Sequence, residues 1–174
     1  TVSLTPVADT GVIGQVFASQ LGEENGQPIN RPLPGVIIEV VGREQEMRTV
    51  TDAEGKFHLT PVPAGRFFVN IDGRTAQGSQ WPNGDYYPFV GKAWAAEAGK
   101  SNNLAGGNGL IYLPLVPAGT LKPVSLVEPT PVTFPTSVLI ANPELVGTRV
   151  EVPANALFSD NGSRGGSVGI APVP

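Results

Sequence analysis

The chain has 174 residues, 22 of them glycine and 18 proline, with a formal net charge of -4 and no cysteine. That length can bury a hydrophobic core without cross-links. The missing thiol excludes disulfides, thiolate metal sites and cysteine nucleophiles. An acidic balance with no Lys/Arg stripe argues against nucleic acid, and no apolar run is long enough for a membrane-spanning helix.

Plentiful glycine and proline, with few runs of helix formers, favour short strands and many turns. The first ten residues, "TVSLTPVADT", alternate loosely and carry a proline, as an edge strand or free arm would. From Gly11 the pattern sharpens: "GVIGQVFAS" puts Val12, Gly14 and Val16 on one face and Ile13, Gln15 and Phe17 on the other. A polar loop, "QLGEENGQPINRPLPG", is expected next, and then "VIIEVVG" with Val36, Ile38 and Val40 sharing a face. "RTVT" and "KFHLTPV" flank the turn Asp52-Ala53-Glu54-Gly55, and "RFFVNI" closes this unit near Ile71. Strands this short at such regular spacing predict a sandwich or barrel.

Residues 73–109 change character. They read as an aromatic, Gly/Asn-rich excursion that holds both tryptophans and Asn-Gly turns at Asn83-Gly84 and Asn108-Gly109. Only "KAWAAEA", bounded by Gly91 and Gly99, is expected to form a helical turn. Residues 110–174 read as a second β unit, with strands in "GLIYLPLV", "LKPVSLV", "TPVTFP", "SVLIA", "TRVEVPANALF" and "SVGIAPV". Prolines in or beside nearly all of them imply edges, bulges and brief ladders. The chain opens at Thr1 and stops in "GIAPVP" with strand-like residues still running, so both ends read as cut from something larger.

The turn at 52–55 has a physical reading. Asp52 accepts from the turn amides, Gly55 takes a left-handed backbone at little steric cost, and Phe57 and Leu59 then point inward. Pro61 and Pro63 stiffen the next approach, Gly65 turns it, and Phe67, Val69 and Ile71 enter the core. A calcium site needs several converging oxygens, and Asp52 with Glu54 are too few. No metal or other cofactor is expected.

The series "GQVFASQ…PLPGVIIEVVG…RTVTDAEGKFHLTPVPAGRFFVNI", over about residues 11–72, resembles the carboxypeptidase regulatory-like family of β-sandwiches, related to transthyretin-like, Ig-like and CnaB domains. The resemblance implies a small sandwich without activity of its own, used as a spacer or docking module in secreted and surface proteins. Some CnaB relatives carry an internal Lys–Asn isopeptide bond; "GVIGQVFAS" has no lysine, so none is expected here. The tail, about 110–174, resembles β modules of large bacterial surface and Rhs-type proteins. It also has a strand pattern related to the ZU5 family, some of whose members cut themselves at His-Phe-Ser. This chain has Leu157-Phe158-Ser159 and no histidine there, so self-cleavage is not expected.

The catalytic patterns in the chain are each incomplete. His58 is a lone imidazole on the outward side of its strand, without a partner nucleophile or second ligand. "AGKSN" lacks the glycine a phosphate loop needs, since Trp94 stands in its place. Asn161-Gly162-Ser163 is a glycosylation sequon by letter only. The acid pairs Glu23-Glu24 and Glu44 with Glu46 read as solvated loop residues rather than a glycosidase pair.

Two functional expectations remain. One is a non-enzymatic structural or interaction module of an extracellular bacterial surface protein, serving spacing, adhesion or assembly. Its partners would be proteins, including copies of itself joined through the terminal strands "TVSLTPV" and "GSVGIAPVP" into a fibre. The other is a carbohydrate-binding module that stacks sugars on Trp81, Tyr86, Tyr87 and Trp94. The competing role for those aromatics is to seal the open end of the first sandwich.

Overall fold

The computed structural model describes residues 10–24, 27–78, 81, 83–104, 109–158 and 162–172; for 20–24 and 27–29 it describes the backbone alone. Residues 1–9 of the expected arm, Asn108 of one turn, Ser159 of the Leu-Phe-Ser triplet, Asn161 of the sequon and Val173 of the terminal strand lie outside that set. The chain forms two compact units, one of Thr1–Trp81 with Tyr87–Pro114, the other of Pro82–Tyr86 with Leu115–Pro174.

The first unit is an all-β sandwich. Its strands are β1 (Gly11–Glu24), β2 (Gln27–Pro32), β3 (Ile37–Val40), β4 (Arg48–Val50), β5 (Lys56–Leu59), β6 (Gly65–Asp72), β7 (Phe89–Ala96), β8 (Ser101–Asn103) and β9 (Leu110–Pro114). One sheet is built on β1, which pairs antiparallel with β2 and β5 along one side and parallel with β8 and β9 along the other. The second sheet runs β4-β3-β6-β7 and is antiparallel throughout.

Alternation explains which side chains meet between the sheets. Val12 and Val16 from β1, Ile38 and Val40 from β3, Phe57 and Leu59 from β5, and Phe67, Val69 and Ile71 from β6 are all buried. Each such side chain contributes about 1.5–3 kcal/mol by leaving water. Gly14 shares the inward face of β1 because Phe57 lies against it: a Cβ there would sit 2.8 Å from the ring and 2.7 Å from the Gly109 carbonyl oxygen.

Three sequence expectations change. "KAWAAEA" is not a helical turn; most of it belongs to β7, an eight-residue ladder from Gly65↔Ala96 to Asp72↔Phe89. Trp94 and Ala96 alternate inward against β6, and that pairing outweighs the helix preference of alanine. The polar stretch after Ser19 is not a loop, because β1 runs on to Glu24 and returns as β2 with a register shift between Ser19 and Glu23. The described part of 73–109 is an excursion only in part: it supplies β7 and β8 to the two sheets, β9 joins the same unit, and residues 83–86 belong to the second unit.

Thr51 ties the loop at 33–36 to the start of the β4–β5 turn. Its Oγ1 accepts from the Val36 amide at 2.9 Å and donates to the Leu33 carbonyl at 2.6 Å, with the residue 5% exposed. Thr51→Val keeps the shape but leaves a buried donor and acceptor unpaired. It is expected to lower stability by about 2–3 kcal/mol in urea unfolding; an unmoved midpoint would show that water satisfies both groups.

Among its described residues the second unit holds two brief ladders and one short α-helix. β10 (Lys122–Pro123) pairs with β13 (Ser167–Val168), and β11 (Thr130–Thr133) pairs with β12 (Arg149–Val152). Val116, Val124, Val132 and Phe134 are its buried apolar side chains among the described residues. "SVLIA", expected as a strand, forms α1 (Thr136–Ala141). The Pro135 carbonyl receives the amides of Val138 and Leu139, so local turn bonds replace a ladder. Part of the terminal strand "GSVGIAPVP" is already used, because Ser167 and Val168 are paired within this unit.

Candidate functional site

The outward face and far edge of the β4-β3-β6-β7 sheet carry the most unusual surface of the first unit. The register lines up Val50, Ile37, Asp72 and Phe89 in one row and Phe68 with Ala93 in another. Val41, Val50, Phe68 and Phe89 are all exposed, Phe68 by 58%. Two guanidinium groups partly shield the rings: Arg74 lies 4.9 Å from the centre of Phe89, and Arg66 lies 5.8 Å from that of Phe68. Asp72 holds Arg74 in place, accepting Nε at 2.7 Å and Nη2 at 2.9 Å. The Arg74 bonds in turn keep the Asp72 carboxyl below the usual aspartate range, against a smaller opposing effect of burial.

The hydrogen-bonding direction of β7 follows from its neighbours. The Val41 amide donates to the Phe68 carbonyl, so Phe68, Asn70 and Asp72 turn their backbone groups toward β3. Phe67, Val69 and Ile71 therefore turn theirs toward β7, where they meet Trp94, Lys92 and Val90. It follows that the N–H and C=O groups of Phe89, Gly91, Ala93 and Ala95 point away from the sheet. No other backbone group among the described residues bonds to them. All four residues are exposed. Eight residues without a proline make this a long open edge of the kind that templates strand addition.

The four aromatics expected to stack on sugar do not form one platform. Trp94 is 7% exposed, stacked on Phe57 at 6.0 Å and edge-on to Phe67 at 6.5 Å. Tyr87 is 1% exposed. It packs over Gly73, where a Cβ would meet the Tyr87 Cβ at 2.7 Å. These two are core residues of the first unit. Tyr86 belongs to the second unit, where its amide and carbonyl pair with those of Val116 at 3.1 and 2.8 Å. Trp81 is partly exposed and stands beside a cleft. It stands edge-on to Tyr87 at 5.0 Å and lines a space of about 300 Å³ with Arg31, Pro32, Pro34 and Gln77.

The remaining residues singled out in the sequence are structural in their geometry. Asp52 Oδ1 accepts from the amides of Glu54 at 3.0 Å and Lys56 at 2.8 Å, and Gly55 has φ 71°. Gly65 has φ 86° at the start of β6. His58 is exposed on the outer face of the other sheet, opposite Ile13, where a Cβ on Gly11 would come within 2.6 Å of its Nε2. No group of three or more histidines and carboxylates converges among the described residues.

Strand alternation in "FVGKAWAA" was legible but masked by its alanines; that this strand lies at an edge follows only from its pairing with β6. Comparison with protein-family models, with curated proteins and with solved structures finds no match.

Proposed function

We propose that this chain is a non-enzymatic structural and interaction module of an extracellular bacterial surface protein, working in spacing, adhesion or assembly by presenting sheet edges to protein partners. The observation that carries the proposal is the uncovered eight-residue edge of β7, beside a face that exposes Phe68 and Phe89. Backbone groups left open along such an edge give affinity for another strand without needing a pocket. The resemblance of residues 11–72 to regulatory-like sandwiches supports the same reading and supplies the extracellular setting.

Electron microscopy and size exclusion on the intact chain and on a chain lacking residues 1–10 test the fibre version. Filaments that need the arm support strand exchange; identical assembly of both chains removes it. The non-enzymatic part is tested by a hydrolysis panel with His58→Ala alongside, where turnover abolished by that change would overturn it.

A second reading has its own observation, the cleft at Trp81. An indole wall with Arg31 and Gln77 nearby offers stacking and hydrogen bonding to a sugar ring. Glycan-array binding lost in Trp81→Ala supports it, and silence across the array removes it.

A further inference from the structure

We infer that the cleft at Trp81 takes an acidic sugar, a uronic acid residue whose carboxylate is bound by Arg31. This rests on the second reading above, that the cleft binds sugar, and adds the chemical class of the ring.

Three parts of the first unit line the cleft: the end of β2 with the loop after it, the β4–β5 turn at Ala53, and the chain that follows β6. Sheet register brings Arg31 there. The pair Ala18↔Arg31 sets it on the same face of the sheet as Ala18, which is 1% exposed. Because β2 lies at the edge of that sheet, the long side chain reaches solvent beside the cleft instead of the core. Its guanidinium has no ion pair or hydrogen bond among the described residues. The side-chain amide of Gln77 and the indole N–H of Trp81 are equally unspent among those residues. Both residues are nonetheless held in place. The Gln77 backbone amide donates to the Pro34 carbonyl at 2.8 Å, and a Cβ on Gly35 would lie 2.6 Å from Gln77 Cγ. Trp81 packs on Gly78, where a Cβ would lie 3.3 Å from the ring, and Tyr87 meets it edge-on.

The chemistry of the lining selects the ligand. A guanidinium and an indole N–H only donate, and the amide of Gln77 both donates and accepts. No carboxylate lines the cleft. Asp52 and Glu54 flank Ala53, but Asp52 Oδ1 already accepts two backbone amides. The ligand must therefore bring negative charge and acceptors on a body that lies flat against an indole. A uronic acid does so: its carboxylate matches the paired N–H groups of Arg31, its hydroxyls suit Gln77, and its C–H face suits Trp81. A space of about 300 Å³ is at the small end for ligand clefts and suits one ring. A peptide ending in a free carboxylate would satisfy Arg31, but it would offer the indole a flexible side chain that must be ordered on binding.

The test is calorimetric titration of the full chain with oligogalacturonate and with its methyl ester, which keeps the ring and removes the charge. The acid is expected to bind about tenfold tighter, the scale of one hydrogen bond to a charged group. That gap should narrow as salt rises. Arg31→Gln should bring the acid down to the affinity of the ester with native circular dichroism, and Arg31→Lys should keep part of the preference, having charge without the planar fork. Trp81→Ala should lose both ligands. Equal binding of acid and ester, both lost in Trp81→Ala, overturns the inference and leaves the sugar reading standing. Binding of neither, nor of any glycan on the array, removes both. Tighter binding of a peptide with a free carboxylate overturns the choice of sugar. If Arg31→Gln alters only self-association, the guanidinium guards the open edge of β2 and the inference falls.

Discussion

Gly55→Ala is expected to lower stability by about 3 kcal/mol, since a left-handed backbone costs an alanine about 1–2 kcal/mol and a backbone collision adds to it. The glycine has φ 71°, and a Cβ there would run into the Val16 carbonyl oxygen and lie 3.1 Å from the Leu33 amide nitrogen. Neither neighbour can move freely. Val16 donates its amide to the Gly55 carbonyl at 2.8 Å, and Leu33 donates its own to Val16 at 2.9 Å. The turn is therefore pressed against the middle of β1, where two hairpins meet. Gly65→Ala provides the contrast, with φ 86° but nothing within 4 Å of the added carbon. It should show only the backbone cost, about 1–2 kcal/mol. Guanidinium unfolding of both variants separates the terms, and equal losses would show that the contact with Val16 relaxes at no cost.

Trp94→Ala should cost about 3–5 kcal/mol, the usual loss for a large aromatic removed from a packed core. Its indole lies between Phe57 from one sheet and Phe67 from its own, so the deletion opens a void where the two sheets are held together. Against a total stability of about 5–15 kcal/mol, that is enough to leave much of the first unit only marginally folded. Trp81→Ala, at a partly exposed site, should cost much less. The readouts are thermal unfolding and the near-ultraviolet circular dichroism of the buried indole. A Trp94→Ala protein as stable as the parent would mean that the residue faces solvent. The sugar platform would then have to be reconsidered.

Much of the sandwich is determined locally. Period-two alternation specifies which of Val12, Val16, Val36, Ile38, Val40, Phe57, Leu59, Phe67, Val69 and Ile71 are buried, because a strand places successive side chains on opposite faces whatever it pairs with. The turn at Asp52–Gly55 is equally local, since one carboxylate and one glycine within four residues satisfy its geometry. Pairing partners are a different matter. Alanine-rich "KAWAAEA" favours a helix when considered alone, and it becomes strand because β6 offers eight residues of ladder and a core position for Trp94. "SVLIA" goes the other way, forming a helix in the second unit where no ladder reaches it. The fate of the aromatics was likewise beyond local pattern. Whether Trp94 and Tyr87 meet solvent or other side chains depends on Phe57 and Gly73, residues brought to them only when the chain folds back on itself. The open edge of β7 is the clearest case, because an edge is defined by the strand that does not lie next to it, and only the completed sheet decides that.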